Sequence, residues 1–468
     1  MTQTNLFARS SQGQMSGFLR QFTQGPGLPF AQVVQQNDIQ ELLARHCPAW
    51  REDLYTPAVT LALFVGQAVD PDPSLRQAVA RFAAQRQMDG LPAISTDTGA
   101  YCKARQRLSE NAIAELARGA GQRTLAFAPP RWTWQGRDVK VVDGTTLSMP
   151  DTPANQKAYP QPRSQKPGVG FPLMRAVVLF SLAVGVVLDA AFGPYRGKET
   201  GETALFRDLH HRLQWGDVVL ADRYYCSYFE FALLQEQGVD LVARLHQCRP
   251  HDFRQGKRLK DGDRLVTWDK PQCPAWMDRE TYGRLPDQIQ IRLTRILLPD
   301  ATKRTSRVVV ATTLLDIDRF PKKAMAQLYR LRWHGELDLR SLKTVLQMDV
   351  LRCKTPEMVR KEIWTHLLAY NLIRKTMAQA AQVHDKDPRH LSFKATLQIL
   401  AAFAHNLREC PDSNLAQVCD TLWKAIVEHP VGNRPDRLEP RRKKRRPKPY
   451  KMLNTSRAEA RKLETAGR

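Results

Sequence analysis

Tyr329, Arg332, Glu336 and Lys343 stand at successive offsets of three, four and seven. That spacing brings them toward one face of an α-helix. One carboxylate among Arg, Lys and Tyr suits a divalent cation and a phosphate together, because Arg and Lys grip phosphate oxygens and Glu supplies a hard oxygen ligand. Two other stretches end short apolar runs on an acid: Val139 to Asp143, and Val218 to Asp222. The stretch around Glu336 also fits a solvated amphipathic helix with i,i+4 ion pairs, and by itself leaves both readings open.

The elements that must carry these residues can be read around them. Leu328, Leu331, Leu339, Leu342 and Leu346 recur at nearly the helical period and can seat the helix of Glu336 on a core. The helix is expected to start near Pro321, a normal first-turn residue. Met174 to Leu182 and Val186 to Phe192 read as strands joined by a turn at Gly185; Thr203 to Leu213 and Tyr228 to Gln237 read as helices, and Asp240 to Leu245 as a strand. This order implies an α/β fold with a mixed sheet, in which two strands that each end on an acid, Asp143 and Asp222, can place both at one edge of the sheet.

Before this core, helices are expected at Ile39–His46, Thr56–Val69, Ser74–Gln87, Ala100–Leu108 and Asn111–Arg118, with Ser109 as an N-cap. Lys103, Arg105 and Arg107 make the fourth either a DNA-binding element or a helix with a solvated basic face. Pro129-Pro130 marks a boundary. Residues 246–319 hold strand-like runs (Arg264–Trp268, Ile289–Leu298, Arg307–Leu315) and read as a β-rich insertion. Helices follow at Pro356–Arg374, Leu391–His405 and Ser413–His429. The expected organisation is a helical N-terminal domain (1–130) that binds DNA ends, a catalytic domain (131–245 with 320–375), the insertion (246–319), a helical C-terminal region (376–433) and a basic tail (434–468). The first 30 residues read as a loose polar arm.

The net charge of +24 and pI near 9.9 favour an anionic polymer as partner. The tail from Arg434 carries 14 Lys/Arg against 4 Asp/Glu, with the run Arg441 to Arg446 between prolines. Eight cysteines form no CxxC pair, which argues against a zinc site and a disulfide framework and for a reducing cytoplasm. The apolar uncharged run Ala176 to Leu188 is short of the roughly 18 residues of a membrane span.

Tyr329-x2-Arg332-x3-Glu336-x6-Lys343 resembles the Y-R-E-K signature of insertion sequence 4 family transposases of bacteria. Val141-Val142-Asp143-Gly144-Thr145 resembles the first acidic motif of that family, and Leu220-Ala221-Asp222-Arg223-Tyr224-Tyr225 the second. The acids lie 79 residues apart (222 − 143) and then 114 (336 − 222). The longer interval leaves room for the insertion. The resemblance covers roughly residues 138 to 375.

It implies a ribonuclease H-like catalytic domain flanked by helical regions. It further implies Asp143, Asp222 and Glu336 as carboxylate ligands of Mg²⁺, for which Mn²⁺ can substitute. Tyr329, Arg332 and Lys343 become contacts to the phosphates of the transposon end, and Arg340 a further basic contact. Trp333 matches an aromatic of the motif, and Trp268 is a candidate to stack on a flipped base, in competition with Trp276 and with simple packing of the insertion. The expected activity is cut-and-paste DNA transposition: 3′-end nicking, hairpin formation and resolution, then strand transfer. The expected partners are transposon-end and target DNA and a second copy of the chain, in the cytoplasm at the nucleoid, with helices after residue 355 in the dimer contact. The rival readings are a ribonuclease H-like nuclease without strand transfer, and a non-catalytic DNA-binding protein of transposase descent. Gly335 departs from the family, which usually has an apolar residue there. Because Gly inside a helix costs about 1 kcal/mol relative to Ala, it is expected to hold Glu336 less rigidly.

Overall fold

The computed structural model describes residues 36–50, 54–197, 200–249, 252–297, 307–432 and 454–466. The polar arm and the Arg441–Arg446 run lie outside the described residues. The chain begins with five helices: α1 (Gln36–His46), α2 (Pro57–Val69), α3 (Leu75–Met88), α4 (Gly99–Arg107) and α5 (Glu110–Ala126). Thr56, Ser74 and Ser109 cap α2, α3 and α5 by accepting the amides of Val59, Gln77 and Ala112, each worth about 1 kcal/mol.

α5 runs past its expected end at Arg118. Gly119 and Gly121 look like stop signals, but at Gly121 the missing side chain serves close packing: a Cβ there would collide with the Val187 carbonyl and lie 3.0 Å from Asn371 Nδ2. Asn371 donates to the carbonyls of Ala117 and Val187 and accepts the amide of Val187, fastening α5 to the sheet. Hence α5 belongs to the main core, and the core runs across Pro129-Pro130. A smaller separate core joins Tyr55, Val59, Phe82 and Tyr101. Arg105, expected on a basic face, is buried over the Phe64 ring and donates to Gln67 and Cys353.

Next come β1 (Val139–Ser148), α6 (Pro153–Ala158), β2 (Leu173–Ser181), β3 (Val187–Pro194), α7 (Glu202–Arg207), β4 (Val218–Ala221), α8 (Tyr228–Glu236) and β5 (Asp240–Arg244). The helix expected over Thr203–Leu213 is instead the short α7 followed by a 3₁₀ turn, His210–Arg212. β1 is twice the expected length, so Asp143 lies inside the strand and not at its end. The insertion supplies β6 (Lys257–Arg258), β7 (Arg264–Asp269), α9 (Arg279–Arg284), β8 (Gln288–Leu297) and β9 (Arg307–Thr312).

All nine strands form one sheet in the order β3-β2-β1-β4-β5-β9-β8-β7-β6. β1, β4 and β5 are parallel and the other pairs antiparallel. The insertion therefore extends the sheet through the β5–β9 ladder. Inside it, fully buried Arg292 pairs with Asp263 at 2.8 Å and donates to the Phe320 carbonyl at 2.6 Å, which ties the insertion to the chain entering the next helix.

α10 (Lys322–Leu331) and α11 (Trp333–Arg340) meet at Arg332, and a π-helical turn, Ser341–Val345, follows. The long helix α12 (Pro356–Val383), α13 (Phe393–Glu409), α14 (Asp412–Val427) and α15 (Arg457–Ala466) complete the described chain. Most side chains of α12 are buried within the chain itself, so the part of the expected dimer contact assigned to it is already occupied by α5 and the sheet. No helix among the described residues is long and apolar enough to cross a membrane.

Candidate active site

β1 and β4 pair in parallel with Val141 beside Leu220. Continuing that register sets position 143 beside position 222. β4 stops at Ala221, and Asp222 turns its carboxylate back to accept the Tyr224 amide at 3.0 Å, capping a 3₁₀ turn. The end of β4 leaves the inner part of β1 uncovered on that side, and there a cavity of about 380 Å³ opens. Its lining includes Asp143, Asp222 and Glu336 together with Arg332, Arg340 and Lys343. Six of the nine site residues read from the sequence thus share one cavity.

Asp143 is half-buried. Its carboxyl is pushed up to about 6, first by burial and also by the negative charges of Glu336 and Asp222; Arg332 and the Gly144 amide oppose this. An acid held among other carboxylates in this way favours a nearby cation. Among the described residues, however, no three His, Cys, Asp or Glu side chains are gathered closely enough to hold a metal as they stand. Glu336 engages Arg332: its Oε1 accepts Arg332 Nη2 at 2.6 Å. The donor set, all hard carboxylate oxygens, fits Mg²⁺.

The signature helix is not one straight face. At the α10–α11 junction the Arg332 amide bonds to the Tyr329 carbonyl and the Gly335 amide to the Arg332 carbonyl, a tightened turn. The π turn then widens the helix. Lys343 accordingly swings over β1 and donates to Thr145 Oγ1 (3.2 Å) and the Thr146 carbonyl (3.0 Å). Tyr329 is buried, 5% exposed, and burial pushes its phenol up to about 12. It is enclosed in the core and does not present a free polar face. Leu331, expected in the core, is 37% exposed because the junction turns it outward. Trp333 is 57% exposed. Trp268 is half-buried, edge-on to Phe231 at 5.4 Å with the Arg249 guanidinium 3.9 Å over its ring, outside the cavity lining. A base could stack on that face only by displacing Arg249.

Gly335 reverses the expectation placed on it. It is buried, and a Cβ there would lie 2.9 Å from Val141 Cγ1 and 3.6 Å from Asp143 Oδ2. The glycine lets α11 lie directly on β1 at the acid, so it tightens the seat of Glu336. Gly335→Ala should push the helix off the strand. Although Ala raises helix propensity by about 1 kcal/mol, the expected result is a fall of about 10²-fold in DNA cleavage, the effect of misplacing a reacting group by about 1 Å; cleavage by the purified variant checks it.

Asp338, two residues after Glu336, is the contributor that sequence reading missed. It is 1% exposed and pairs with Arg374 of α12 and with Arg389 (2.8 Å). Arg374 also donates to the Tyr370 hydroxyl, which donates to the Gly185 carbonyl in the β2–β3 turn. This buried network locks α11 to α12 and to the sheet. In sequence Asp338 looks like an ordinary surface acid; only the distant Arg374 and Arg389 give it a role.

Strand order β3-β2-β1-β4-β5, with an antiparallel meander leading into parallel β4 and β5, defines a ribonuclease H-like catalytic domain. A family model described as the transposase DDE domain matches residues 134–372, half of the chain, and the chain belongs to that family. It is 28% identical over 363 residues to transposase InsG for insertion sequence element IS4 of Escherichia coli (strain K12), covering 75% of this chain and 77% of that protein, in agreement with its motifs. It is 37% identical over 99 residues to the transposase for insertion sequence element IS421 of Escherichia coli, covering 19% of this chain and 26% of that protein. A solved piggyBac transposase synaptic complex with hairpin DNA aligns at a TM-score of 0.43 and 12% identity, over 85% of this chain and 84% of that one.

Proposed function

We propose that this transposase moves an insertion sequence by a cut-and-paste route, in which Asp143, Asp222 and Glu336 hold Mg²⁺. The observation that carries the reading is the meeting of these acids, from β1, the end of β4 and α11, with Arg332, Arg340 and Lys343 in one cavity. Bound there, divalent cations would activate water or a 3′-hydroxyl and stabilise the departing 3′ oxygen of a phosphodiester.

The chain's own residues do the rest. Arg340, exposed at the rim, and Lys343, over β1, take phosphate oxygens of the transposon end. Arg332 holds Glu336 aside until DNA phosphate competes for its guanidinium, which frees the carboxylate to face Asp143 and Asp222. Tyr329 backs this arrangement. Trp333 is exposed beside it as a surface for a base, a better-placed candidate than Trp268. Hairpin formation and resolution, and a dimer bridging two ends, complete the proposed cycle.

The test mixes the protein, Mg²⁺, DNA carrying the element's own ends, and a supercoiled plasmid. Joined end–plasmid products are expected, with hairpin ends visible on a denaturing gel before joining. Cleavage with no joined product would favour a nuclease; binding with neither would favour a non-catalytic DNA-binding protein.

A further inference from the structure

A second cavity, of about 350 Å³, lies between the N-terminal helices and the chain that leaves the active site. Phe64 and Ala68 face it from α2, Leu75 from α3, and Met358, Glu362 and His366 from α12 at one-turn intervals. The rest of its wall includes residues 352–355, shortly after Asp349, which lines the cavity of the acids.

Two buried polar groups on this wall are incompletely paired. His366 is 7% exposed, and among the described residues its Nδ1 has no hydrogen-bond partner. Burial, and then the charge of Arg352, pushes its ring down to about 4, so the imidazole is neutral near pH 7. Arg105 of α4 is 8% exposed. It donates from Nη1 to Gln67 at 3.2 Å and from Nη2 to Cys353 Sγ at 3.3 Å, while its Nε has no partner among the described residues. Buried polar atoms are paired in the great majority of cases, so two such atoms on the wall of one cavity point to a polar occupant.

Charge sets the sign of that occupant. Arg105, Arg352 and Lys354 line the cavity against one acid, Glu362. The Glu362 oxygens already accept backbone amides, that of Arg352 at 3.0 Å and that of Cys353 at 2.9 Å. Arg352 and Lys354 are exposed, whereas Phe64, Met358 and His366 are buried. Cations therefore ring the mouth, and apolar groups with one imidazole form the interior.

We propose that this cavity binds a small organic acid whose apolar body carries a second polar group: its carboxylate meets Arg352 and Lys354 at the mouth, its body lies among Phe64, Ala68 and Met358, and its inner polar group bonds His366. The volume is at the small end of ligand pockets, and junctions between structural units are where such pockets concentrate. Bound there, the acid joins the N-terminal helices to the segment that runs on from Asp349. The cavity is thus an effector site beside the chemistry, and its occupancy depends on neither Mg²⁺ nor the three acids.

The test is isothermal titration calorimetry on the full-length protein without DNA, with three probes: 4-hydroxyphenylacetate; phenylacetate, which lacks the hydroxyl; and 4-methylphenol, which lacks the carboxylate. The hydroxy acid is expected to bind about tenfold more tightly than either, the upper range for one buried hydrogen bond. Arg352→Gln should weaken the hydroxy acid by about tenfold and leave 4-methylphenol unchanged. His366→Phe should abolish the advantage of the hydroxy acid over phenylacetate. No binding of any probe at millimolar concentration overturns the proposal, as does equal affinity for all three. Binding that both variants leave within twofold of the parent places the probes elsewhere and also overturns it. Should His366→Phe fail to fold, Arg352→Gln, at an exposed position, decides alone: selective weakening of the hydroxy acid supports the site, and unchanged affinity overturns it.

Discussion

Asp143→Asn should lower both strand cleavage and strand transfer by about 10³-fold or more, equivalent to about 4 kcal/mol of transition-state stabilisation. Binding of the transposon end should stay within about threefold, because Arg340 and Lys343 are untouched. The same change should raise the thermal midpoint of the metal-free protein. The sign follows from the raised carboxyl: at about 6 in the fold against an ordinary value of 3.8, the folded state holds the proton more tightly than the unfolded chain. Stability then falls as pH rises from about 4 to about 6, and above that the buried charge opposes folding. A neutral amide of the same shape removes that opposition. Parallel cleavage, gel-shift and thermal measurements check all three; a variant that still cuts at the parent's rate would remove Asp143 from the chemistry.

Asp338→Ala should cost about 3–5 kcal/mol of stability, the usual consequence of leaving buried cations without their counter-charge. Two guanidiniums, Arg374 and Arg389, converge on this carboxylate. Their desolvation is offset only while it is present. Since typical domains are stable by about 5–15 kcal/mol, the loss should be plain in a denaturant titration. It should also release α11, so cleavage should fall even at temperatures where the variant stays folded. A change below about 1 kcal/mol would mean that the helix is held by its apolar contacts alone.

Local pattern revealed most of the elements. Thr56, Ser74 and Ser109 cap the helices they were expected to start, and the insertion strands begin within one residue of expectation. The resemblance of three motifs to the family grouped Asp143, Asp222 and Glu336, and these three line one cavity. What sequence could not supply was long-range context. Gly121 and Gly335 look like weak points along a helix, yet each lets a helix touch a strand far away in the chain. Helical period places Tyr329 on a polar face, but the tight turn at Arg332 and the π turn beyond it rotate the four signature residues relative to one another, sending Tyr329 inward and Lys343 across β1.

β5 would be the rim of the sheet if the chain lacked residues 246–319; instead β9 occupies its outer side along Val242 to Arg244. Exposed strand rims invite pairing with other chains. Whatever the added strands do for DNA, they also shield that rim. An ancestor that first gained the segment as an optional ornament would have become dependent on it for staying monodisperse, and the segment could not afterwards be shed by a simple deletion.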